Sequence, residues 1–283
     1  MLFRITTFMA IVFAVVNQKG GVGKTTTAVN LGAAMADAGP DRGIRRVLLV
    51  DMDPQGNMTT HLGYGAKEYE EDSSLSDADL PPSIYEVLKG QKTLREVTIR
   101  RSDRLDIVPA SLLLSAADLE LGGQVGRELL LKRALTKVAD DYDIIVIDCP
   151  PTLGLLSLNA LAAAQKVIIP VQSEYLALHG VRQLLDTIDR VREVYNSELV
   201  VGGVLICLHD SRRRLARAVA DTIRNYFGHL VFDAVIRDNV TLAEAPASGK
   251  TIFEYAPKST GAEDYLALVQ EILDEPKKAA VGE

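Results

Sequence analysis

Short runs of β-branched and other apolar residues alternate with amphipathic stretches along almost the whole chain. The apolar runs are nearly continuous, which is typical of strands buried on both faces of a parallel sheet. They predict strands over residues 10–16, 46–50, 105–108, 143–147, 166–171, 200–207 and 231–236. The amphipathic stretches predict helices over residues 24–38, 127–139, 155–164, 179–195, 215–227 and 260–273. This alternation indicates an α/β fold in which a mostly parallel twisted sheet carries helices on both faces.

The pattern predicts one domain over residues 1–283, because no linker rich in Pro or Gly separates two halves. Residues 1–8 are expected to be an extension or the product of an upstream start codon, with Met9 the alternative start. Residues 39–43 predict a turn, and the acidic, Ser-rich residues 63–82 predict a mobile surface loop. The polar residues 275–283 are expected to form a flexible tail.

The composition is that of an ordinary globular protein, with 47% hydrophobic and 24% charged residues among 283, and excludes a disordered or collagen-like chain. The formal net charge of −7 means that any contact with nucleic acid must come from a local basic patch. Two cysteines, Cys149 and Cys207, cannot build a disulfide framework, which favours a reducing cytoplasm. The apolar residues 8–16 are too short to cross a bilayer, and they predict a buried strand instead of a signal peptide.

The strongest chemical signal is a glycine-rich segment between the first predicted strand and the first predicted helix. Its residues, all expected to bind nucleotide phosphates, are Lys19, Gly20, Gly21, Val22, Gly23, Lys24, Thr25 and Thr26. Glycines let backbone N–H groups turn toward phosphate oxygens, and the helix N-terminus adds its positive end. Lys24 would reach the β- and γ-phosphates, and the Thr25 hydroxyl would ligate Mg²⁺. Gln18 replaces the first glycine of the common P-loop pattern, and Lys19 adds a lysine inside the loop.

Two predicted strands end in aspartates, Asp51 and Asp148. Because the carboxyl ends of neighbouring parallel strands share one edge of a sheet, both carboxylates are expected to face the bound phosphates. An aspartate after four apolar strand residues is the usual second metal-binding element of P-loop NTPases, so Asp148 is predicted to hold Mg²⁺ through a water. Asp51 is predicted to orient the attacking water, and Asp53 to brace the turn.

Four segments together resemble the ParA/Soj/MinD group of deviant Walker-A ATPases, and within it the ParA/Soj partition proteins. They are residues 19–27, Asp51-Met-Asp-Pro-Gln-Gly-Asn57, Ile147-Asp-Cys-Pro-Pro-Thr-Leu-Gly-Leu155 and Leu242-Ala-Glu-Ala-Pro-Ala-Ser-Gly-Lys250. The resemblance covers residues 9–273 and implies a P-loop ATPase that uses ATP and Mg²⁺ and closes into a sandwich homodimer. In that dimer Lys19 of one subunit would touch the phosphates held by the other, and Lys19, Lys24 and Asp51 would be the catalytic residues.

A group of arginines follows the predicted strand over residues 200–207, and we call it the arginine ridge. Its members are Arg212, Arg213, Arg217 and Arg224. On a helix, the last three fall within about 40° of one another, while Leu215, Val219 and Ile223 form a separate stripe that is expected to face the core. A basic ridge on an acidic protein indicates contacts with phosphates, although solvated helix charges explain the same spacing.

In ParA/Soj proteins the segment that matches the ridge, beginning at the position of Arg212, binds DNA nonspecifically. The resemblance therefore implies that the ridge and Lys250 contact double-stranded DNA, that a ParB-type centromere-binding protein stimulates hydrolysis, and that the protein associates with the nucleoid in the cytoplasm. It also implies that Asn239 contacts the adenine. The chain departs from the family at Asp238 and Thr241, where two positive charges of relatives are missing.

Two other functions stay open. A MinD-like division regulator that cycles on membranes would require a C-terminal amphipathic basic helix, and residues 275–283 have no apolar face, so no membrane partner is expected. An ATPase that positions another cargo on the nucleoid would use the same ATP-dependent cycle, and the sequence does not distinguish such a protein from a partition ATPase. An iron–sulfur role for Cys149 is disfavoured, because no second suitably placed cysteine accompanies it.

Overall fold

The computed structural model describes residues 10–38, 42–64, 81–173 and 177–279. Within this part of the chain, the strands form one sheet with the order β3-β4-β2-β5-β1-β6-β7-β8. The strands are β1 (Ile11–Val15), β2 (Val47–Asp51), β3 (Ile99–Arg100), β4 (Leu105–Val108), β5 (Ile144–Asp148), β6 (Lys166–Gln172), β7 (Val200–His209) and β8 (Val231–Arg237). All neighbours pair in parallel except β3 and β4, which are antiparallel. The predicted α/β fold is confirmed.

Helices connect the strands. They are α1 (Lys24–Ala38), α2 (Asn57–His61), α3 (Ile84–Leu88), α4 (Leu94–Val97), α5 (Ala117–Glu120), α6 (Leu130–Thr136), α7 (Leu155–Ala163), α8 (Ala177–Val194), α9 (Arg214–Phe227), α10 (Val240–Glu244), α11 (Ile252–Tyr255) and α12 (Thr260–Ala279). Short 3₁₀ turns lie at Leu112–Ala116, Arg127–Leu129, Ala139–Asp141, Gly228–Leu230 and Ala245–Ser248. No helix in the described ranges is both long and apolar enough to span a bilayer.

Every predicted strand is present, with its ends within two residues of those expected. The sequence pattern missed β3, because two residues carry no periodicity, and it missed the short helices α2–α5, α10 and α11. The helix predicted over residues 127–139 is instead a 3₁₀ turn, then α6, then another 3₁₀ turn. The helix predicted to end at residue 273 continues to Ala279. Residues 1–9, 39–41, 65–80, 174–176 and 280–283 lie outside the described residues. Most of the predicted turn at residues 39–43, of the predicted loop at residues 63–82 and of the predicted extension at residues 1–8 therefore cannot be compared with the structure.

The sheet is covered on both faces, as its continuous apolar strands require. Along β1, Val12 and Ala14 pack in one cluster with residues of α6, α7 and α8, whereas Phe13 and Val15 pack in the other with residues of α1 and α12. Gly32 lets α1 lie directly on the sheet, because a Cβ at this position would come within 2.4 Å of Leu49 Cδ2. This close packing fixes α1, and therefore the loop that leads into it, against β1 and β2.

Candidate nucleotide-binding site

The glycine-rich loop leaves the central strand at the carboxyl edge of the sheet. β1 ends at Val15 and α1 begins at Lys24. The strand register pairs Val15 with Asp148 of β5, and Asp51 of β2 with the same Asp148. The loop and both strand-end aspartates therefore lie at one edge of the sheet, as the parallel topology predicted.

The loop backbone faces open space. Gly21 and Gly23 have φ values of 73° and 90°, which only glycine adopts without strain. An added Cβ at Gly20 or Gly21 would meet no heavy atom within 4 Å. The loop borders a cavity of about 510 Å³, which Thr25, Thr26 and Asp53 also line. This is a cradle in which backbone N–H groups can surround an anion.

Lys24 is a nearly buried cation at the first position of α1. It is 7% exposed, and its Nζ donates to the Lys19 carbonyl oxygen at 3.0 Å. Burial lowers the pKa of the Lys24 ammonium, while the charges of Asp148 and Asp53 oppose this shift. Because a buried ammonium gains most from an adjacent negative charge, its position favours a phosphate in the cavity.

Lys19 is tied to the end of β6. Its backbone N–H donates to Asn17 Oδ1 at 3.0 Å, and its Nζ donates to Gln172 Oε1 at 3.3 Å. Gln172 Nε2 in turn donates to the Gly21 carbonyl oxygen at 3.3 Å, and Asn17 Nδ2 donates to the Pro170 carbonyl oxygen at 2.6 Å. Gln172 could not be identified from the sequence, because a glutamine at a strand end carries no motif of its own.

Asp51 does not reach the cavity. Its side chain is 0% exposed; Oδ1 accepts from the Asp53 N–H at 3.1 Å, and Oδ2 accepts from the Thr59 N–H and Oγ1 at 2.9 and 2.7 Å. Burial raises the pKa of Asp51 to about 6, although these hydrogen bonds oppose the shift. Both of its oxygens accept hydrogen bonds from donors that brace the turn into α2, so the geometry does not favour the prediction that Asp51 orients water, and that role stays a prediction.

Asp53 occupies the position that was predicted for Asp51. It lines the cavity and is 6% exposed, and its Oδ1 accepts from the Gln55 N–H at 3.0 Å. Of the two aspartates of the Asp-Met-Asp segment, the structure therefore brings Asp53, and not Asp51, to the cavity.

Asp148 is buried without a hydrogen-bond donor. It is 0% exposed, and neither of its carboxylate oxygens has a hydrogen-bond partner of normal geometry among the described residues, although the Thr25 side chain lies close enough to influence it. Burial, reinforced by the charge of Asp51, raises the pKa of this carboxyl well above its ordinary value, while the Thr25 side chain and Lys24 act in the opposite direction. Buried carboxylate oxygens are normally satisfied. Asp148 and the Thr25 hydroxyl are oxygen donors of the kind that Mg²⁺ prefers, so the residues fit a magnesium site completed by water and phosphate.

Other possible metal sites receive no support from the described residues, among which no three His, Cys, Asp or Glu side chains come together as a metal site. Cys149 and Cys207 are free and buried. His61 is 3% exposed, and its Nε2 lies 3.1 Å from the Lys250 carbonyl oxygen. Burial lowers the pKa of His61 to about 4, so the ring is neutral and donates this hydrogen bond.

Asn239 caps a short helix in the structure. Its Oδ1 accepts from the Thr241 N–H and Oγ1 at 2.9 and 2.7 Å, and its Nδ2 donates to Thr260 Oγ1 at 2.7 Å. The adenine contact implied for Asn239 stays a prediction, and it would compete with these bonds. Leu208, with φ of 52°, and Pro246 also line the cavity, and neither was a predicted site residue, although Pro246 lies in the Leu242–Lys250 segment that resembles the family.

The arginine ridge begins with two arginines on one carboxylate. Arg212 Nε lies 2.9 Å from Asp210 Oδ1, and Arg213 Nε lies 3.2 Å from Asp210 Oδ2. Hydrogen bonds from Arg212, together with the charge of Arg213, lower the pKa of Asp210 to about 2. The two arginine side chains remain 89% and 74% exposed, so they are held in place and still accessible to a ligand.

The rest of the ridge follows along α9. Arg217 donates to the Ser211 carbonyl oxygen at 2.6 Å, and Arg224 lies 4.0 Å from Asp221. The predicted core stripe is right for Val219 and Ile223 but wrong for Leu215, which is 66% exposed in the first turn of the helix. The buried residues of α9 are Ala216, Val219, Ala220, Ile223 and Phe227. Lys250 is exposed, as a DNA contact would require.

Known proteins share this arrangement. A family profile described as an AAA domain matches residues 10–201. The sporulation initiation inhibitor protein Soj of Bacillus subtilis (strain 168) is 44% identical over 265 residues, which are 93% of this chain and 98% of that protein. The chromosome partitioning protein ParA of Myxococcus xanthus (strain DK1622) is 45% identical over 269 residues, 94% of this chain and 89% of that protein.

A solved structure from Mycobacterium smegmatis, named cobyrinic acid a,c-diamide synthase and containing ADP and magnesium, superposes with a TM-score of 0.78. It is 38% identical, and the match covers 96% of this chain and 97% of that one. The central parallel sheet, the glycine-rich loop and the strand-end aspartates define a P-loop NTPase. The chain belongs to the ParA/Soj family of ATPases.

Proposed function

We propose that this protein is an ATP-dependent partition ATPase that works as a nucleotide-timed switch on DNA. The observation that carries the proposal is the buried, unsatisfied Asp148 carboxylate at the strand edge where the open glycine loop begins. An uncompensated buried carboxylate is costly, and in this position a cation bound with nucleotide compensates it. The partition role is supported by the names of the Soj and ParA relatives.

ATP would be held by this chain's own backbone and by two lysines. Gly20, Gly21 and Gly23 of the loop line the cavity, where their N–H groups would bind phosphate oxygens, and Lys24 lines it as a nearly buried ammonium. The Thr25 hydroxyl and Asp148 would hold Mg²⁺, the latter through water. Bound Mg²⁺ supplies charge neutralisation and orientation of the phosphate oxygens. The M. smegmatis structure, named with ADP and magnesium, supports the same cofactor for this chain.

Asp53 is the residue that we assign to orienting the attacking water. Its Oδ1 is fixed by the Gln55 N–H, and its side chain lines the cavity that the loop borders. A carboxylate fixed in this way can accept a hydrogen bond from a water and align it for in-line attack. Asp51 then acts only by shaping the turn, because Thr59 and the Asp53 N–H occupy its oxygens.

Lys19 would connect nucleotide binding to self-association. In the described chain its Nζ contacts Gln172 of the same subunit. In the family's sandwich dimer, the equivalent lysine reaches the phosphates held by the partner. A cation contributed across an interface stabilises the dimer only while the nucleotide charge is present. ATP would therefore exchange the contact with Gln172 for a contact between subunits, and hydrolysis would reverse the exchange.

The arginine ridge would convert dimerisation into DNA binding. Each subunit presents exposed guanidinium groups that contact phosphates without reading bases. A dimer doubles the number of phosphate contacts, which raises affinity and steepens its salt dependence. We further propose that a ParB-type partner accelerates hydrolysis and that the protein acts on the nucleoid in the cytoplasm.

The experiment is DNA binding measured by fluorescence anisotropy on a nonspecific duplex, without nucleotide, with ADP, and with ATP and Mg²⁺. The Asp53→Ala variant is used to hold the ATP state, Lys24→Ala serves as the control without nucleotide, and the double variant Arg213→Ala, Arg217→Ala tests the ridge. We expect tight binding only with ATP, and its loss in both of these controls. Equal affinity in all nucleotide states contradicts the proposal, and ATP-dependent sedimentation with vesicles instead of DNA favours a membrane-cycling regulator.

A further inference from the structure

A second cavity lies far along the sheet from the nucleotide loop, between the segment that joins α3 to α4 and helix α6. It has a volume of about 370 Å³, and no residue of the glycine loop lines it. This volume is within the range of small-molecule sites. Its floor is apolar and includes Leu88, Leu94 and Leu130. The cavity plays no part in the proposed ATPase cycle.

The rim of this cavity is strongly basic. The basic residues that line it are Lys89, Lys92, Arg95, Arg133 and Lys137. The one acidic side chain among the lining residues, Glu96, accepts hydrogen bonds from Thr93 N–H and Oγ1, both at 2.7 Å, in the capping box of α4. The cavity is lined by five basic residues and one acidic residue, although the whole chain has a net charge of −7. General solubility therefore does not explain this local excess of positive charge.

Two of these five cations form ion pairs with acidic residues that do not line the cavity, and the other three form no ion pair among the described residues. Lys89 Nζ lies 2.9 Å from Glu120, and Arg95 lies 2.7 Å from Asp141. Across the described ranges of the chain, no ion pair forms with Lys92, Arg133 or Lys137. Three cations without a direct ion pair, from two separate segments, therefore border one cavity, and only Lys92 is influenced by the charge of Glu96.

The spacing on α6 makes this arrangement costly for the isolated protein. Arg133 and Lys137 are four residues apart, so they share one face of the helix, and like charges at this spacing destabilise it. Lys137 follows the last residue of α6, where the negative end of the helix favours a cation. This helix-end effect does not account for Arg133 or for Lys92 on the opposite wall. A bound anion between the two walls would compensate all three charges.

We propose that this cavity binds a small organic phosphate that carries at least two negative charges. Lys92 on one wall and Arg133 with Lys137 on the other would contact the phosphate oxygens, and Arg133 can make two parallel hydrogen bonds to them. The apolar floor would take the uncharged body of the ligand. A cavity of about 370 Å³ favours a small molecule over duplex DNA, which is too wide to enter it.

The experiment is calorimetric titration of inorganic pyrophosphate into the full chain carrying Lys24→Ala, which removes the loop lysine as a competing phosphate contact. We expect one saturable site per chain. Adding Arg133→Gln and Lys137→Gln should weaken the pyrophosphate affinity by at least about tenfold, because two charge-assisted contacts are lost. Lys132→Gln is the matched control: it removes the same kind of charge from α6 at a residue that does not line the cavity.

Folding of every variant is checked by circular dichroism and urea unfolding, and single substitutions replace the double one if it fails to fold. An unchanged affinity in Lys132→Gln, together with the loss in the cavity variants, supports the site. Absence of saturable binding, or equal weakening by Lys132→Gln, overturns it. It is also overturned if the cavity variants weaken binding of a short DNA duplex but not of pyrophosphate, since the surface would then be a nucleic-acid contact.

Discussion

Asp51 and Asp148 are paired in register at the ends of neighbouring strands, yet only the carboxylate of Asp51 has its hydrogen bonds formed by the described residues. Asp51 accepts hydrogen bonds from Asp53 and Thr59, whereas neither oxygen of Asp148 has a hydrogen-bond partner of normal geometry among the described residues. Two aspartates in the same kind of position thus have opposite environments. The first stabilises the turn, and the second is left for a ligand.

This contrast predicts opposite effects of the same isosteric substitution. Asp148→Asn removes a buried carboxylate whose burial outweighs the opposing effects of Lys24 and the Thr25 side chain, so the free energy of unfolding without nucleotide should be unchanged or increased. Asp51→Asn loses acceptor capacity for Thr59 and should lower the free energy of unfolding by about 1–3 kcal/mol. Urea unfolding of the two variants measures this. If Asp148→Asn lowered the free energy of unfolding as much as Asp51→Asn does, this would contradict the conclusion that Asp51 stabilises the turn and that Asp148 is left for a ligand.

Asp53→Ala should abolish hydrolysis but not nucleotide binding. The carboxylate lines the cavity, and general base or water-orienting groups contribute roughly 10²- to 10⁴-fold to such reactions. We expect ATPase turnover to fall at least about a hundredfold while calorimetry still detects ATP uptake. Thr60→Ala, at another residue that lines the cavity, is the matched control and should keep most of the turnover. Full activity of Asp53→Ala would rule out its assigned role.

Alanine substitutions at Gly23 and Gly20 should differ in their effect on stability, because only Gly23 has a backbone conformation that alanine adopts with strain. Gly23 has φ of 90°, whereas Gly20 is not among the residues with positive φ. An L-residue at position 23 is therefore strained, and we expect a loss of about 1–2 kcal/mol in stability. Gly20→Ala should cost much less, because its Cβ would meet no heavy atom within 4 Å. Thermal unfolding of both variants without nucleotide measures the difference, and equal losses would be inconsistent with this loop geometry.

His61 should make the stability of the protein fall in mild acid. Burial lowers its pKa in the folded chain to about 4, compared with 6.5 for an unperturbed imidazole. The unfolded chain therefore binds the proton first as the pH falls. The neutral ring contributes fully to the free energy of unfolding above pH 6.5, and this contribution is lost as the pH falls from 6.5 to about 4. The loss in the free energy of unfolding is at most about 3 kcal/mol.

The control for this pH effect is His61→Gln, which keeps a donor for the Lys250 carbonyl but does not titrate. The raised pKa of Asp51 acts in the opposite direction over much of this range, and it is present in both proteins. The difference in unfolding free energy between wild type and His61→Gln should therefore shrink as the pH is lowered from 7.5 to 5. A difference that does not change with pH would refute the buried neutral ring.

The fold and the position of the site could be predicted because they depend on long patterns. Continuous apolar runs predict buried parallel strands, and strand ends at one edge bring the loop, Asp51 and Asp148 together. The division of roles among the aspartates could not be predicted, because it depends on Thr59 in α2, a five-residue helix without periodicity. The contact between Lys19 and Gln172 joins residues 153 positions apart, which no local pattern encodes.

The second cavity was missed for a similar reason. The periodicity over residues 127–139 predicts one continuous helix, but the structure has α6 between two 3₁₀ turns. The basic rim forms only when α6 packs beside the segment between α3 and α4. The sequence shows these lysines and arginines as isolated surface charges, and only the packing shows that they share a cavity.

The most direct test of the central claim is the solution mass of the Asp53→Ala protein, measured by sedimentation velocity with ATP and Mg²⁺, with ADP, and without nucleotide. The account predicts the 30.7 kDa monomer without nucleotide or with ADP, a dimer of twice that mass with ATP, and no dimer when Lys19→Ala is added. A monomer in saturating ATP, or a dimer that forms equally well in all three conditions, would contradict the claim that nucleotide held in this loop controls association.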